Sequence, residues 1–267
     1  MEEFYNFAHR LANAAQKPAL KYFRQRVEVQ NKLGRGEFDP VTLADRQAEQ
    51  VIRTLIESQY PDHNIRGEEF GEKQTGSEWK WIIDPIDGTR AYISGLPVWG
   101  VLIGLYRSGQ PVLGIMDQPF TGERFTGSAK GSFLYQHGNR TKVSTRPCSN
   151  LEEATISTTD PYLFNNQERI AFEKIREVSR LQRYGLDCYA YSMLAMGGID
   201  LVIESVLQDY DIAALIPIVE AAGGTISNWS GGSPANGGQI LASGDSQLHK
   251  SALEMLRPMA KDPSNTD

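Results

Sequence analysis

The stretch Trp81-Ile82-Ile83-Asp84-Pro85-Ile86-Asp87-Gly88-Thr89 constrains this chain more than any other. Its apolar first half reads as a buried strand that delivers two aspartates, three residues apart, and then stops at a glycine. Pro85 keeps Asp84 out of the α region, so the chain turns sharply and both side chains can face one place. The helical-looking Arg90-Ala91-Tyr92 comes next. Strand, acidic turn and helix start together let oxygen ligands and backbone N–H groups converge on one spot. That chemistry suits magnesium and a phosphate. On these nine residues alone, Asp-Pro and Asp-Gly read equally well as ordinary turn punctuation.

The rest of the composition narrows the classes. A length of 267 residues suffices for one large domain or for two fused halves sharing an interface. A formal net charge of −6 with no strongly basic stretch argues against nucleic acid as a partner. The longest strongly apolar run, Val98 to Tyr106, is too short to span a bilayer, so no membrane partner is expected. Met1-Glu2-Glu3-Phe4 has neither a basic n-region nor an apolar h-region, which points to the cytoplasm. Cys148 and Cys188 form no CxxC and are expected as free thiols in a reducing compartment.

Along the chain, Phe4, Phe7, Ala8 and Leu11 recur at helical spacing, so residues 2–16 read as a helix that Pro18 kinks or restarts. Gly34-Arg35-Gly36 reads as a loop. From Asp45 a second apolar stripe through Ile56 predicts a helix ending at Tyr60-Pro61, with Asp45 capping its start. Strands are expected at 79–84, 98–106 and 111–116. Turns at Thr121-Gly122-Glu123 and Lys130-Gly131 make 98–145 an antiparallel meander. Beyond it strand and helix alternate, with helices at 167–180, 188–197, 211–222 and 246–257 and strands at 181–185, 200–204, 225–226 and 240–241. Pro217 is expected to bend the third of those helices, and Gly223-Gly224 to cap it. The tail from Lys261 reads as frayed. The class is mixed α/β, rich in antiparallel strand over about 1–150 and alternating over about 151–260.

Glu68 and Glu69 follow Arg66-Gly67 at the end of another expected strand, and they add carboxylates to Asp84 and Asp87. Other metal and phosphate motifs fail. An EF-hand counted from Asp84 would need oxygen ligands at Ile86 and Gly88. Neither a dinucleotide fingerprint nor a GK[ST] loop is present. His9, His63, His137 and His249 show no metal-ligand spacing, and Ser192 has no G-x-S-x-G context.

Asp84-Pro85-Ile86-Asp87-Gly88-Thr89 resembles the signature of the inositol monophosphatase family of magnesium-dependent, lithium-sensitive phosphatases. Val41-Thr42-Leu43-Ala44-Asp45 resembles the family's V-T-x-x-D, and Gly67-Glu68-Glu69 its G-E-E. Tyr210-Asp211-Ile212-Ala213-Ala214, ahead of Gly223-Gly224, resembles its second signature, with Tyr210 in place of tryptophan and Ala221 in place of a glutamate. The resemblance covers roughly residues 40 to 250. It implies one domain over 1–267, a layered αβαβα sandwich, a homodimer and a small phosphate ester as substrate. It assigns roughly two or three Mg²⁺ per site to Glu68, Asp84, the carbonyl of Ile86, Asp87 and Asp211. Asp45, Glu68 and Thr89 are then the catalytic residues, with Asp45 and Thr89 relaying a proton from the attacking water. Ile86, Asp87, Gly88, Thr89 and Asp211 also bound the phosphate side of the substrate site.

Specificity falls to other residues. Glu204, seven places before Asp211, stands where family members hold the substrate's alcohol part, and Gly185-Leu186-Asp187 stands at a second such position. Two carboxylates suit a cationic alcohol better than a neutral polyol, because ionised partners strengthen hydrogen bonds. Asp187 reads equally as the N-cap of the following helix, and Tyr189 and Tyr191 read as core residues able to pack an aromatic ring. Gly88-Thr89-Arg90-Ala91-Tyr92, Gly95-Leu96-Pro97-Val98-Trp99-Gly100 and the stretch from Tyr210 to Pro217 look like the histidinol-phosphate phosphatase branch. Three alternatives stand beside that reading: an inositol-1-phosphate phosphatase, a nucleotide-phosphate phosphatase and a catalytically silent metal-binding or regulatory protein.

Overall fold

The computed structural model describes residues 1–25, 30–31 and 40–261. The expected loop at Gly34–Gly36 and the tail beyond 261 lie outside the described residues. The first half runs α1 (Glu2–Tyr22), β1 (Gln30–Asn31), β2 (Pro40–Val41), α2 (Leu43–Gln59), β3 (Asn64–Gly67), β4 (Gly71–Lys73), β5 (Trp79–Asp87) and α3 (Thr89–Ile93). The meander follows as β6 (Gly100–Arg107), β7 (Gln110–Gln118), β8 (Glu123–Ser128), β9 (Gly131–Gln136) and β10 (Asn139–Lys142). Then come β11 (Thr155–Thr158), α4 (Asn166–Val178), β12 (Leu181–Tyr184), α5 (Cys188–Ala195) and β13 (Leu201–Leu207). The chain closes with α6 (Asp209–Ile212), α7 (Leu215–Ala221), β14 (Thr225–Asn228), β15 (Gly238–Ser243) and α8 (Ser246–Leu256).

Two mixed sheets and three helical layers result. The larger sheet has the order β10-β9-β8-β7-β6-β5-β3-β4 and the smaller β12-β11-β13-β15-β14. Strand alternation decides which residue feeds which core. Val101, Ile103 and Leu105 of β6 pack with Leu11 of α1 and Ile52 of α2, on the outer face of the larger sheet. Leu102 and Met116 turn the other way and join α5, α7, Val202 and Ile240 in the middle layer. Ile156, Leu201 and Leu241 meet Phe172 of α4 and Leu248 of α8 behind the smaller sheet. This is the αβαβα sandwich. Cys148 and Cys188 are buried and unpaired, in the third and second of these cores. Among the described residues no helix is long and apolar enough to cross a membrane.

Several elements differ from expectation. The first helix runs unbroken through Pro18 to Tyr22, because its buried stripe continues on both sides, through Ala15 and Ala19. That burial offsets a proline cost of about 3 kcal/mol. The helix expected at 211–222 is two helices, α6 and α7, broken at Ala213-Ala214. Pro217 has no N–H to give the Ala213 carbonyl, so the break falls one turn before the proline and not at it. The expected cap does form, with Gly223 left-handed at φ 96. Lys261 is not frayed: its N–H donates to Gln239 and its ammonium lies 3.1 Å from Glu168.

The break between α6 and α7 sits directly on the larger sheet. Gly104, Gly114 and Gly127 are register partners on β6, β7 and β8, and they form one row across it. A Cβ on Gly114 would stand 1.9 Å from the Ala214 carbonyl, and one on Gly127 would stand 2.2 Å from that of Pro217. The row lets backbone rest on backbone, and so fixes the height of Asp211 above the sheet. Gly114→Ala is therefore expected to destabilise the protein by at least about 2 kcal/mol through overpacking. Gly198→Ala, whose Cβ would meet nothing closer than 3.5 Å, is expected to cost less than half of that. Denaturant melts of the two variants check the difference.

Candidate active site

Parallel pairing of β3 with β5 places Gly67 opposite Ile83, so Glu68 follows beside Asp84. The Glu68 N–H donates to the Ile83 carbonyl at 3.2 Å. In a regular strand Asp84 and Asp87 would point to opposite faces, being an odd number of residues apart. They do not, because β5 is bulged. Asp84 pairs with Leu102 and Asp87 with Gly100, so three steps on β5 oppose two on β6. The strand thus runs to Asp87 and does not end at Asp84. Pro85 sits within the bulge, where its missing N–H spoils no ladder bond. Asp84 Oδ1 accepts from the Ile86 N–H at 3.0 Å and holds the turn closed. Gly88 then adopts φ 83, which sets Thr89 at the start of α3.

Asp45 lies inside α2, not at its first position. Thr42 is the N-cap, and Asp45 completes a capping box by accepting from the Thr42 N–H at 2.8 Å and its hydroxyl at 2.6 Å, both through Oδ2. Oδ1 is left toward the Thr89 hydroxyl, 3.4 Å away, which also donates to the Ile86 carbonyl at 3.0 Å.

One turn along α2, Glu49 does a job that went unread in the sequence. Its fully buried carboxylate accepts from the N–H groups of Glu69 and Phe70, at 2.7 and 3.2 Å, and from Arg53 at 2.7 Å. Arg53 in turn donates to the Gly71 carbonyl. This clamp fixes the turn that carries Glu68. Gly67 must be glycine, because a Cβ there would lie 2.0 Å from Glu49 Oε1. The available signal was an acidic residue on the apolar face of α2 with arginine four places on.

Asp211 arrives from α6, held by the Gln208 N–H at 2.6 Å. Arg66 bridges to Asp209 at 3.2 Å and covers the Tyr210 ring at 5.4 Å. The β3 turn and the α6 turn are therefore tied together. Oxygens of Asp84, Asp87 and Asp211 come within 4.8 Å of one another.

Crowded carboxylates resist ionisation. Burial, then Glu68, Asp87 and Asp211, hold Asp84 well above the usual range. Burial, then Asp187 and Asp211, do the same to Asp87. Burial pushes Asp211 up to about 7, against the Gln208 N–H. Burial pushes Asp45 up to about 6, with Thr42 opposing. An all-oxygen cluster that cannot comfortably carry its own charge fits a hard divalent cation, which would neutralise it.

Beside the cluster is a cavity of about 190 Å³ lined by Asp87, Asp187, Cys188, Glu204 and Asp211, among others. Asp187 stands at the N-cap position of α5 but makes no capping bond with its side chain. The Cys188 N–H there donates instead to Asp87 Oδ2 at 2.7 Å. Asp187 is strained, at φ 45, and packs so close that a Cβ on Gly88 would lie 3.1 Å from its own. Burial raises Asp187 to about 6, with the Arg90 charge opposing. Glu204 is buried on β13, accepting from the Thr159 N–H and hydroxyl at 2.8 and 3.0 Å and from the Thr158 hydroxyl at 3.3 Å. Desolvation still pushes it up to about 8. Gly185 and Leu186 do not line this cavity; the Gly185 N–H donates to the Thr159 carbonyl at 2.8 Å. Of the histidines, His63 accepts from the Trp81 indole and His249 bonds Ser227 and Ser243, away from the cluster.

Comparison with known proteins identifies the family. Residues 1–260 match the model of the inositol monophosphatase family. The chain is 39% identical to the bifunctional phosphatase IMPL2, chloroplastic, of Arabidopsis thaliana, over 96% of this chain and 75% of that protein. It is 34% identical to a histidinol-phosphatase of Chlorobaculum parvum, over 92% of this chain and 93% of that one. The solved structure of an inositol monophosphatase from Zymomonas mobilis superposes with a TM-score of 0.84 at 38% identity, covering 96% of this chain and 98% of its own.

Glu204 gives the site a pH signature. Its carboxyl titrates near 8 when folded, against an ordinary 4.5. Its stabilising contribution is complete below the ordinary value and is lost as pH rises through the folded one. With chelator present, the melting temperature is expected to fall as pH rises from about 5 to about 8, and Glu204→Gln to make that fall shallower. Calorimetry across the range checks it.

Proposed function

The chain belongs to the inositol monophosphatase family, whose members are phosphoric monoester hydrolases, and from that premise we propose that it is a magnesium-dependent L-histidinol-phosphate phosphatase. The observation that carries the substrate is the convergence of Asp187 and Glu204 on one cavity beside Asp87 and Asp211. A phosphate held at the aspartate cluster leaves its alcohol facing those two carboxylates. An ammonium or imidazolium there would offset the burial that keeps Glu204 protonated near neutral pH and gain charge-assisted bonds that a polyol does not. The Chlorobaculum parvum relative, a histidinol-phosphatase by name, supports the same reading.

In this reading Glu68, Asp84, the Ile86 carbonyl, Asp87 and Asp211 would hold Mg²⁺. Bound magnesium neutralises phosphate charge and acidifies a water. Asp45, titrating near 6, is matched to accept the attacking water's proton near neutral pH. The Thr89 hydroxyl, 3.4 Å from Asp45 Oδ1, orders that proton's path, and the backbone at Gly88 and Thr89 faces the phosphate. The protein is then one family domain over 1–267, working in the cytoplasm, where its two buried free thiols stay reduced. The homodimer rests on family resemblance alone. The Zymomonas mobilis structure, an inositol monophosphatase, keeps inositol-1-phosphate as the second reading.

A substrate panel separates the two. Under Mg²⁺, kcat/KM for L-histidinol phosphate is expected to exceed that for inositol-1-phosphate by at least about tenfold. The reverse preference overturns the assignment. Chelation should abolish phosphate release and Mg²⁺ restore it. Asp84→Asn is expected to cost about 100-fold or more on both esters; activity that survives it would put the site elsewhere. Asp187→Ala should cost more on the cationic ester, and an equal loss on both refutes the charge argument.

A further inference from the structure

Two tyrosines of α5 end differently. The Tyr189 hydroxyl donates to Glu123 at 2.6 Å, away from the cavity. Tyr191 is 2% exposed, lines the cavity with Asp187 and Glu204, and its hydroxyl has no hydrogen-bond partner among the described residues. Core packing does not account for that oxygen. Phenylalanine would fill the same space without burying an unpaired hydroxyl, which natural interiors rarely tolerate. The charges acting on the phenol come first from Glu204, then from Asp87 and Asp211. All three line the cavity that Tyr191 also lines, and the phenol oxygen is itself buried beside it and unpaired among the described residues.

Glu204 by itself is a limited acceptor. Two donors from Thr159 occupy Oε1 and the Thr158 hydroxyl occupies one place on Oε2, so little of its capacity is left. An ammonium brings three N–H donors and accepts nothing. Asp187 and the remaining place on Glu204 can meet such donors, and a phenol oxygen adds a neutral acceptor beside them.

We propose that Tyr191 is a specificity-determining residue whose phenol oxygen, with Asp187 and Glu204, binds the nitrogen-bearing part of an amino-alcohol phosphate. The inference rests on the substrate reading above and names a further residue for it. Leu163, Leu207 and Leu215 make other parts of the wall apolar, which suits a ring or hydrocarbon beyond the nitrogen.

Tyr191→Phe removes the oxygen alone. In the Mg²⁺-loaded protein, KM for L-histidinol phosphate is expected to rise about tenfold with kcat within about twofold. Calorimetric binding of histidinol itself should weaken about tenfold. Hydrolysis of glycerol-2-phosphate, which has no nitrogen, should stay within about twofold, and the melting temperature should hold or rise. Unchanged histidinol binding overturns the inference alone. So does a loss shared equally by both esters, which would trace to the aspartate cluster. A wild type that prefers inositol-1-phosphate overturns the substrate reading and this inference with it.

Discussion

Mutual repulsion among buried carboxylates is the constraint on which the rest of this structure depends. Asp84, Asp87 and Asp211 are held within one ion's reach of each other, and burial with like charge drives each away from ionising. Side chains free to swing would relieve the strain by moving apart. Each is therefore braced by a neutral donor or by tight backbone: Ile86 N–H on Asp84, Cys188 N–H on Asp87, Gln208 N–H on Asp211. Behind these stand the Glu49 clamp on the Glu68 turn and the glycine row under α6 and α7. The scaffold concentrates negative charge where a hard cation and a phosphate can use it.

Cleavage and selection are separate in the chain and joined in space. In the proposed reading the aspartate cluster handles the phosphate ester, whatever its alcohol. The cavity beside it is lined by Asp187, Glu204 and Tyr191, to which that reading gives the alcohol. Asp87 belongs to both, because it caps the first N–H of α5 through Cys188 and also stands in the cluster. Gly88 makes the same connection sterically, lying against Asp187 with no room for a side chain between them. The cluster is thus joined directly to the helix that begins beside Asp187 and carries Tyr191.

Much of the site was legible because its signals are local. Asp-Pro-x-Asp-Gly-Thr announces a turn with carboxylates, and Asp45 reads as a helix-start residue although Thr42 proves to be the N-cap. Other features were not legible, because their causes are non-local. The capping role open to Asp187 goes to Asp87, about a hundred residues away in sequence. Tyr191 reads as core by composition, and only its surroundings show that its oxygen is unmatched. Glu49 looks like an ordinary helix charge until the β3–β4 turn folds onto it.

By itself the sequence determined the class of chemistry, since oxygen ligands, glycine turns and the order of strand and helix are written in residue type and spacing. Hydrophobic periodicity also determined the mixed α/β class, whereas the layered sandwich came from the family resemblance. Tertiary structure alone decided the phase of Asp84 against Asp87, which a bulge opposite β6 sets. It decided as well that Asp187, Glu204 and Tyr191 share one cavity. The physical reason is the same in both cases. Bulge register and cavity walls come from pairing between distant strands and helices, and no window of sequence contains both partners of such a contact.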